Sequence, residues 1–383
     1  MLRFLTAGES HGPCLTAIIE GLPAGLSLDI DQINEELARR QQGYGRGGRM
    51  KIEKDTVDIV SGVRFGQTLG SPITLIIKNR DWGNWQEQMS VMGAEAGEAV
   101  TNARPGHADL TGILKYDRQD IRDILERASA RETAARVAVG AIMKQFLQAA
   151  ANIEIASHVI NIGGVKFDKP VTFSVINNNR SQETGCVDQE TEIAMKEIID
   201  KAKQNGDTLG GVFEISATNL LVGLGSHIQW DRRLDTKLTA ALMSIPAIKG
   251  VEIGDGFYYA NLPGSQAHDE IFYEAQKGYY RKTNHAGGIE GGMSNGEDII
   301  VRAIMKPIPT LMTPLQSVNI LTNAAVKANT ERSDACAVPA AAVVGEAMTA
   351  ITLAETLIEK FSSDNMADLL SAIESYNLRI NRC

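Results

Sequence analysis

An apolar, alanine-rich run from Ala335 to Leu357, interrupted by Pro339 and Glu346, constrains the fold more than any other feature. A segment apolar on nearly every side must be covered on every side, by lipid or by the rest of the chain. The two interruptions and the alanine content favour a helix buried in protein over a membrane span. A chain of 383 residues can build the surrounding core, as one or two domains. Its 43% hydrophobic and 22% charged fractions are those of a soluble globular protein.

The other elements come in blocks. Asp29 to Gln42 has a helical period, with Ile30, Ile33 and Leu37 on one face and Gly43 as a stop. Val57 to Val60 and Ile73 to Ile77 are short β-branched runs set off by glycines and Pro72. Asp120 to Ala151 reads as one long helix burying Ile121, Leu125, Val137, Ile142, Phe146 and Leu147. Asp188 to Asn205 is a further helix and Val212 to Leu221 a strand. Leu234, Leu238, Ala241, Leu242 and Ile245 mark an amphipathic helix. Ile299 to Met305 reads as a strand, Ala340 to Phe361 as a helix and Asp364 to Tyr376 as a terminal helix. Phe167 to Glu192, polar and asparagine-rich, reads as a surface excursion within one domain. Clustered strands and separate helices point to α+β, not to a doubly wound parallel sheet.

Cys14, Cys186, Cys336 and Cys383 are far apart and form no metal-ligand spacing, so reduced thiols in the cytoplasm are expected. The polar, glycine-bearing MLRFLTAGESHGP is not a signal peptide.

Chemistry concentrates in polar pieces within a chain of formal net charge -9. Between Arg104 and Arg136, six arginines surround His107 and Ser129, and interleaved Asp and Glu leave an ion-paired helix face as one reading. The other is a small-anion site, because an acidic surface opposes a long polyanion. Recurrence of similar pieces favours the second. GESHGP places Ser10 and His11 between glycines. RRQQGYGRGGRM carries four forked donors, Arg39, Arg40, Arg46 and Arg49, with Tyr44 as its sole aromatic. Such forks match phosphate and carboxylate oxygens in pairs, whereas an RNA-binding loop would offer more stacking rings. RPGHADL mounts His107 on a turn, and ERASARE spaces Arg127 and Arg131 by four. HAGGIEGGMSNGE lacks the strand–turn–helix context of a dinucleotide fingerprint. KPIPT and ERSDACAVPA complete the set, the latter with Arg332 and Asp334 ahead of the alanine-rich helix.

With RxSARETAARVAVGA, GLGSHIQWDRRLD and KGVEIGDGF in their places, these motifs in this order resemble the chorismate synthase family from about Met1 to Ala350. The resemblance implies one α+β domain spanning 1–383, with helices sandwiched between antiparallel sheets, assembled as a homotetramer. It implies a lyase using reduced FMN that removes phosphate from 5-enolpyruvylshikimate 3-phosphate in a 1,4-anti elimination, giving chorismate for aromatic amino-acid biosynthesis. The flavin lends electron density and recovers it. The alternative from another class is a non-catalytic phosphate- or nucleic-acid-binding protein using the same arginine loops.

Carried over residue by residue, the resemblance makes His107 the histidine beside the flavin and His11 the one that protonates the leaving phosphate. Ser10, Ser129 and Asp334 become further catalytic positions, with Asp334 aiding proton removal through the flavin. Arg40, Arg46, Arg49, Arg104 and Arg131 become substrate-anion ligands, and Arg40 and Arg46 also positions associated with NADP(H). The flavin set is Arg127, Ala128, Ser129, Pro246, Ala247, Gly291, Lys306, Pro307, Ile308, Pro309, Thr310 and Arg332. Ala128 and Pro246 depart from the serine and amide residues common there. No reductase-like insertion is visible, so an external source of reduced FMN, such as a separate flavin reductase, is expected, with NADPH as the other reductant. The segment from Arg39 to Arg49 is expected to be mobile until an anion arrives.

Overall fold

The computed structural model describes residues 1–47, 54–93, 97–275, 278–331 and 333–380. Its helices are α1 (Ile30–Gln41), α2 (Asp109–Tyr116), α3 (Arg122–Ala128), α4 (Thr133–Ala151), α5 (Phe173–Asn179), α6 (Gln189–Gln204), α7 (Leu234–Met243), α8 (Gly264–Ala267), α9 (Val338–Phe361) and α10 (Met366–Ile380).

Two larger antiparallel sheets flank the central helices α4 and α9. The N-terminal sheet runs Arg3–Ala7, Cys14–Glu20, Ile73–Lys78, Asp58–Ser61 in spatial order. Leu15, Ala17 and Ile19 point inward, as do Ile73, Leu75 and Ile77, while Ile18 faces out. That alternation is the period of a sheet with one face on the core. The second sheet runs Ile248–Ile253, Ile299–Met305, Gly211–Thr218, Glu154–Ile162, Val165–Lys166. Helix α4 packs on the first sheet and α9 on the second, and the two helices pack on each other. The layers are therefore sheet, helices, helices, sheet, as the family resemblance implied.

Helix α9 is the apolar run of the sequence, buried along nearly its whole length. Its small residues allow close approach. A Cβ on Gly140 of α4 would lie 2.3 Å from that of Ala347, so only glycine fits that crossing. Apolar residues from Leu2 to Ile373 form one continuous cluster.

Several expectations need correction. The helix read from Asp120 to Ala151 is broken at Ser129, whose backbone is extended and whose Oγ accepts from the Arg131 N–H. A serine satisfying a backbone donor ends one helix and starts the next turn. The apolar face was right: all six named residues are buried. In α1, Ile33 and Leu37 are buried but Ile30 is exposed. The polar stretch 167–192 is more than surface, since α5 buries Ile176, and Cys186 joins the core. Arg3–Ala7, Cys14–Glu20 and Glu154–Ile162 are strands that the periodicity did not single out.

Candidate active site

The site grows from three turns and the break after α3. GESHGP joins the first two strands of the N-terminal sheet. Within it the His11 N–H donates to Glu126 Oε2 at 2.8 Å, and the ring Nδ1 lies 2.9 and 3.0 Å from Glu126 Oε1 and Oε2. Trp85 stacks on the imidazole with centroids 4.0 Å apart. Ser10 is buried and its N–H donates to the Glu126 carbonyl. Asn79 ties this loop to the arginines: its amide donates to the carbonyls of Glu9 and Gly12, and its Oδ1 accepts from Arg131 Nε at 2.9 Å.

Arg131 and Arg40 then share one carboxylate. Arg131 donates to both oxygens of Asp55 at 2.6 and 2.7 Å, and Arg40 to Oδ2 at 2.8 Å. All three residues are buried. Two guanidiniums on one carboxylate leave an excess positive charge, and Arg40 Nε has no hydrogen-bond partner among the described residues. Burial, offset in part by Asp55, lowers the Arg40 pKa to about 10. Burial raises the Asp55 carboxyl, but Arg40 and Arg131 outweigh it and hold its pKa below the ordinary value. Such a cluster, buried and short of negative charge, is a ready receptor for an anion.

The turn Arg104–His107 has Gly106 at φ +79 and closes with a His107 N–H to Arg104 carbonyl bond, the type II geometry that favours glycine. Asp109, fully buried at the start of α2, accepts from the Arg104 backbone N–H, Nε and NH2, and His107 Nδ1 donates to its Oδ1. Despite burial, the hydrogen bonds from His107 and Arg104 hold the Asp109 pKa far below the usual carboxylate range. Arg104 also reaches Thr310 Oγ1 at 3.2 Å, and Ser333 Oγ donates to the Thr310 carbonyl. Lys306 Nζ donates to the Gly106 carbonyl, and its backbone N–H to that of Ala247. Next to Ser333, Asp334 accepts from Arg46 NH1 and from the Gly47 N–H, both at 2.6 Å. A cavity of about 340 Å³ opens beside Arg46, Gly47, Thr310, Ser333 and Asp334.

The structure thus links most of the expected positions. Contacts join Ser10, His11 and Ser129 to Arg131 and Arg40, and join His107 and Arg104 to Thr310, Ser333 and the Arg46–Asp334 pair. Arg127 is not on one helical face with Arg131, because of the break between them. It instead donates to the Gly8 and Thr6 carbonyls, with Ala128 closing α3. Ala247 sits beside Lys306, with Pro246 before it and Pro307, Ile308 and Pro309 leading to Thr310. Gly291, in the hairpin of Ile289–Glu290 and Met293–Ser294, makes none of the hydrogen bonds that join the others. Arg49 and Arg332 lie outside the described residues. Arg39 and Arg40 are in the last turn of α1, and Arg39, Arg40 and Arg46 are each on carboxylates. Residues 39, 40 and 46 thus have carboxylate partners without a ligand, where the sequence led us to expect arginines that repel one another until an anion arrives.

Sequence reasoning missed Asn79, Trp85 and the parts played by Asp109 and Glu126. The spacing His107-x-Asp109 was a usable signal for one. Nothing local marks Asn79 or Trp85, which follow the strand Ile73–Lys78 that pairs with Cys14–Glu20.

Arg127, Ser129, Lys306 and Thr310 are cationic or neutral donors, a set whose chemistry fits a phosphorylated, reduced flavin. The sequence model of the chorismate synthase family matches residues 2–358. A curated chorismate synthase of Sulfurihydrogenibium sp. is 59% identical over 98% of each chain, and one of Geobacter sulfurreducens is 56% identical over the same share. A crystal structure of a chorismate synthase superposes with a TM-score of 0.79 at 45% identity, covering 100% of this chain and 99% of the other. By sequence across nearly its whole length and by fold, the chain belongs to the chorismate synthase family.

Proposed function

We propose that this protein eliminates phosphate from 5-enolpyruvylshikimate 3-phosphate to give chorismate, with reduced FMN as cofactor. Family membership over residues 2–358 carries the reading. The substrate bears two carboxylates and a phosphate, and the residues that would meet it are Arg40, Arg46, Arg49, Arg104 and Arg131. Arg40 and Arg131, sharing Asp55, retain the excess charge an incoming anion requires. His11 gives a proton to the departing phosphate, and His107 supplies a donor beside the flavin site. Asp334 takes part in proton removal, and Ser10 and Ser129 are further polar positions of the site. Arg127, Ala128, Ser129, Pro246, Ala247, Gly291, Lys306 to Thr310 and Arg332 would hold the flavin. When bound, the reduced flavin supplies transient electron density to a reaction with no net redox change.

The reading extends to one domain over 1–383, supported by the continuous core, and to a cytoplasmic homotetramer. Reduced FMN comes from a separate flavin reductase, or from NADPH acting at Arg40 and Arg46. The non-catalytic alternative loses its main support, because its arginines are committed to buried carboxylates instead of lying open on a basic surface. Anaerobic assay with chemically reduced FMN tests the proposal: chorismate should form, and His107→Ala should slow it by about 10²–10⁴-fold. No chorismate from folded wild-type protein with reduced FMN would reject it.

A further inference from the structure

Glu126 stands 115 residues from His11 in sequence, yet it binds that residue at two places at once. Its Oε2 takes the His11 backbone N–H, and both oxygens face the ring Nδ1. Its own carbonyl accepts from the preceding residue, Ser10. The carboxylate side chain is 3% exposed. Arg122, one helical turn earlier, donates to Oε1 at 3.1 Å and lies over the Trp85 ring, 4.9 Å from its centroid. Trp85 is held in turn by its Nε1–H on Asp81. The imidazole is therefore clamped along its edge by Glu126 and on a face by Trp85. No described residue bonds its Nε2.

We propose that Glu126 is the positioning residue for His11: it fixes the ring proton on Nδ1 and leaves Nε2 as the atom that delivers a proton to the departing phosphate. The proposal rests on the elimination reading above. Burial raises the Glu126 carboxyl, but the bonds and charge of His11 and Arg122 outweigh it, so its pKa is lowered. An ionised carboxylate only accepts, and so Nδ1 must donate to it. In the imidazolium both nitrogens carry protons. On transfer the Nε2–H bond breaks, an O–H bond forms on the phosphate, and the electron pair stays on Nε2. The neutral ring that remains has its proton on Nδ1, still bonded to Glu126, with no tautomer shift required. A bond serving only to hold α3 against the loop would need the backbone contact alone. The second contact, to the ring, is what a proton donor requires.

The test is spectroscopic first. The chain has six histidines, so protein labelled with ¹⁵N-histidine gives few signals, and His11→Gln assigns the one in question. At alkaline pH, neutral His11 in the wild type should carry its proton on Nδ1; an Nε2–H tautomer overturns the proposal whatever the variants do. Glu126→Gln should lower kcat about 10–100-fold, by analogy with the loss of a partner that orients a metal-bound histidine, and Glu126→Asp should restore part of it. KM for the substrate should stay within about twofold, because no anion contact is removed. An unchanged kcat in folded Glu126→Gln, beside an active wild type, sinks the positioning role alone. An inactive wild type with the Nδ1–H tautomer sinks the elimination reading instead. Should Glu126→Gln fail to fold, the wild-type tautomer decides.

Discussion

Arg39 and Arg40 are neighbours in the last turn of α1, and they enter two charge clusters, each with one cation more than carboxylates, that differ in how fully their polar atoms are paired. Arg40 joins Asp55 and Arg131, two cations on one carboxylate, with a guanidinium nitrogen left over. Arg39 forks onto Glu346 of α9 at 2.9 and 3.1 Å and onto Glu36 at 2.5 Å. Glu346, fully buried, also accepts from Arg180, Lys144 and the Ser157 hydroxyl, while Lys144 returns to Glu36. There every carboxylate oxygen is occupied, and the cluster binds α1, α4, α9 and the second sheet together. A fully paired network serves the fold, whereas a buried guanidinium nitrogen left without a partner is open to a ligand.

Removing the hub of the satisfied cluster should have the largest effect. Glu346→Ala would strand Arg180 and leave Arg39 and Lys144 to share Glu36, and breaking a buried pair in this way costs about 3–5 kcal/mol. Urea unfolding should show the loss, while turnover per folded molecule stays near wild type. Despite burial, Arg39, Lys144 and Arg180 hold the Glu346 pKa well below its ordinary value. Its contribution is therefore present above the unfolded carboxyl value of about 4.3 and lost as pH falls through the depressed folded one. Acid unfolding of the variant should accordingly be less steep than that of the wild type. A Glu346→Ala protein of unchanged stability would erase the contrast between the clusters.

Arg40→Ala should act on the other side of the comparison. One hydrogen-bonded charge is worth about 1.5–3 kcal/mol, or about 10–150-fold in kcat/KM. Asp55 keeps Arg131, so stability should fall less than in Glu346→Ala. Anaerobic steady-state kinetics at saturating reduced FMN, beside urea unfolding, separate the two quantities. If kcat/KM holds and only stability drops, Arg40 belongs with Arg39.

Little of this division could be read from the sequence. Helical period found α1 through Ile33 and Leu37, and a long apolar run found α9, because burial on one face or on all of them is written into the sequence. The same periodicity ran through Ser129, since apolar residues stay inward on both sides of the break while one hydroxyl redirects the backbone. Family motifs drew attention to His11, His107 and most of the arginines, but motifs name residues and not their partners. Asp109 follows His107 closely enough to be noticed. Glu126, Asn79 and Trp85 reach the same site only through tertiary contacts, which leave no local period. For Arg39 and Arg40 the limit is sharper: two identical side chains in sequence, separated in role by which face of a helix turn each occupies.

The smallest expected effect tests that separation most finely. Arg39→Lys keeps the charge and loses the fork that spans both Glu346 oxygens and Glu36. A single ammonium cannot reproduce bonds from two guanidinium nitrogens to two carboxylates. Lys144 and Arg180 still neutralise Glu346, so no buried charge is abandoned. The side chain is 24% exposed, and water can replace part of what is lost. The cost should be about 0.5–1 kcal/mol, seen as a small shift in the urea midpoint with kcat and KM unchanged. A matching fall in kcat/KM would mean that the bidentate grip of Arg39 sets the pose of Arg40, and that the two clusters work as one.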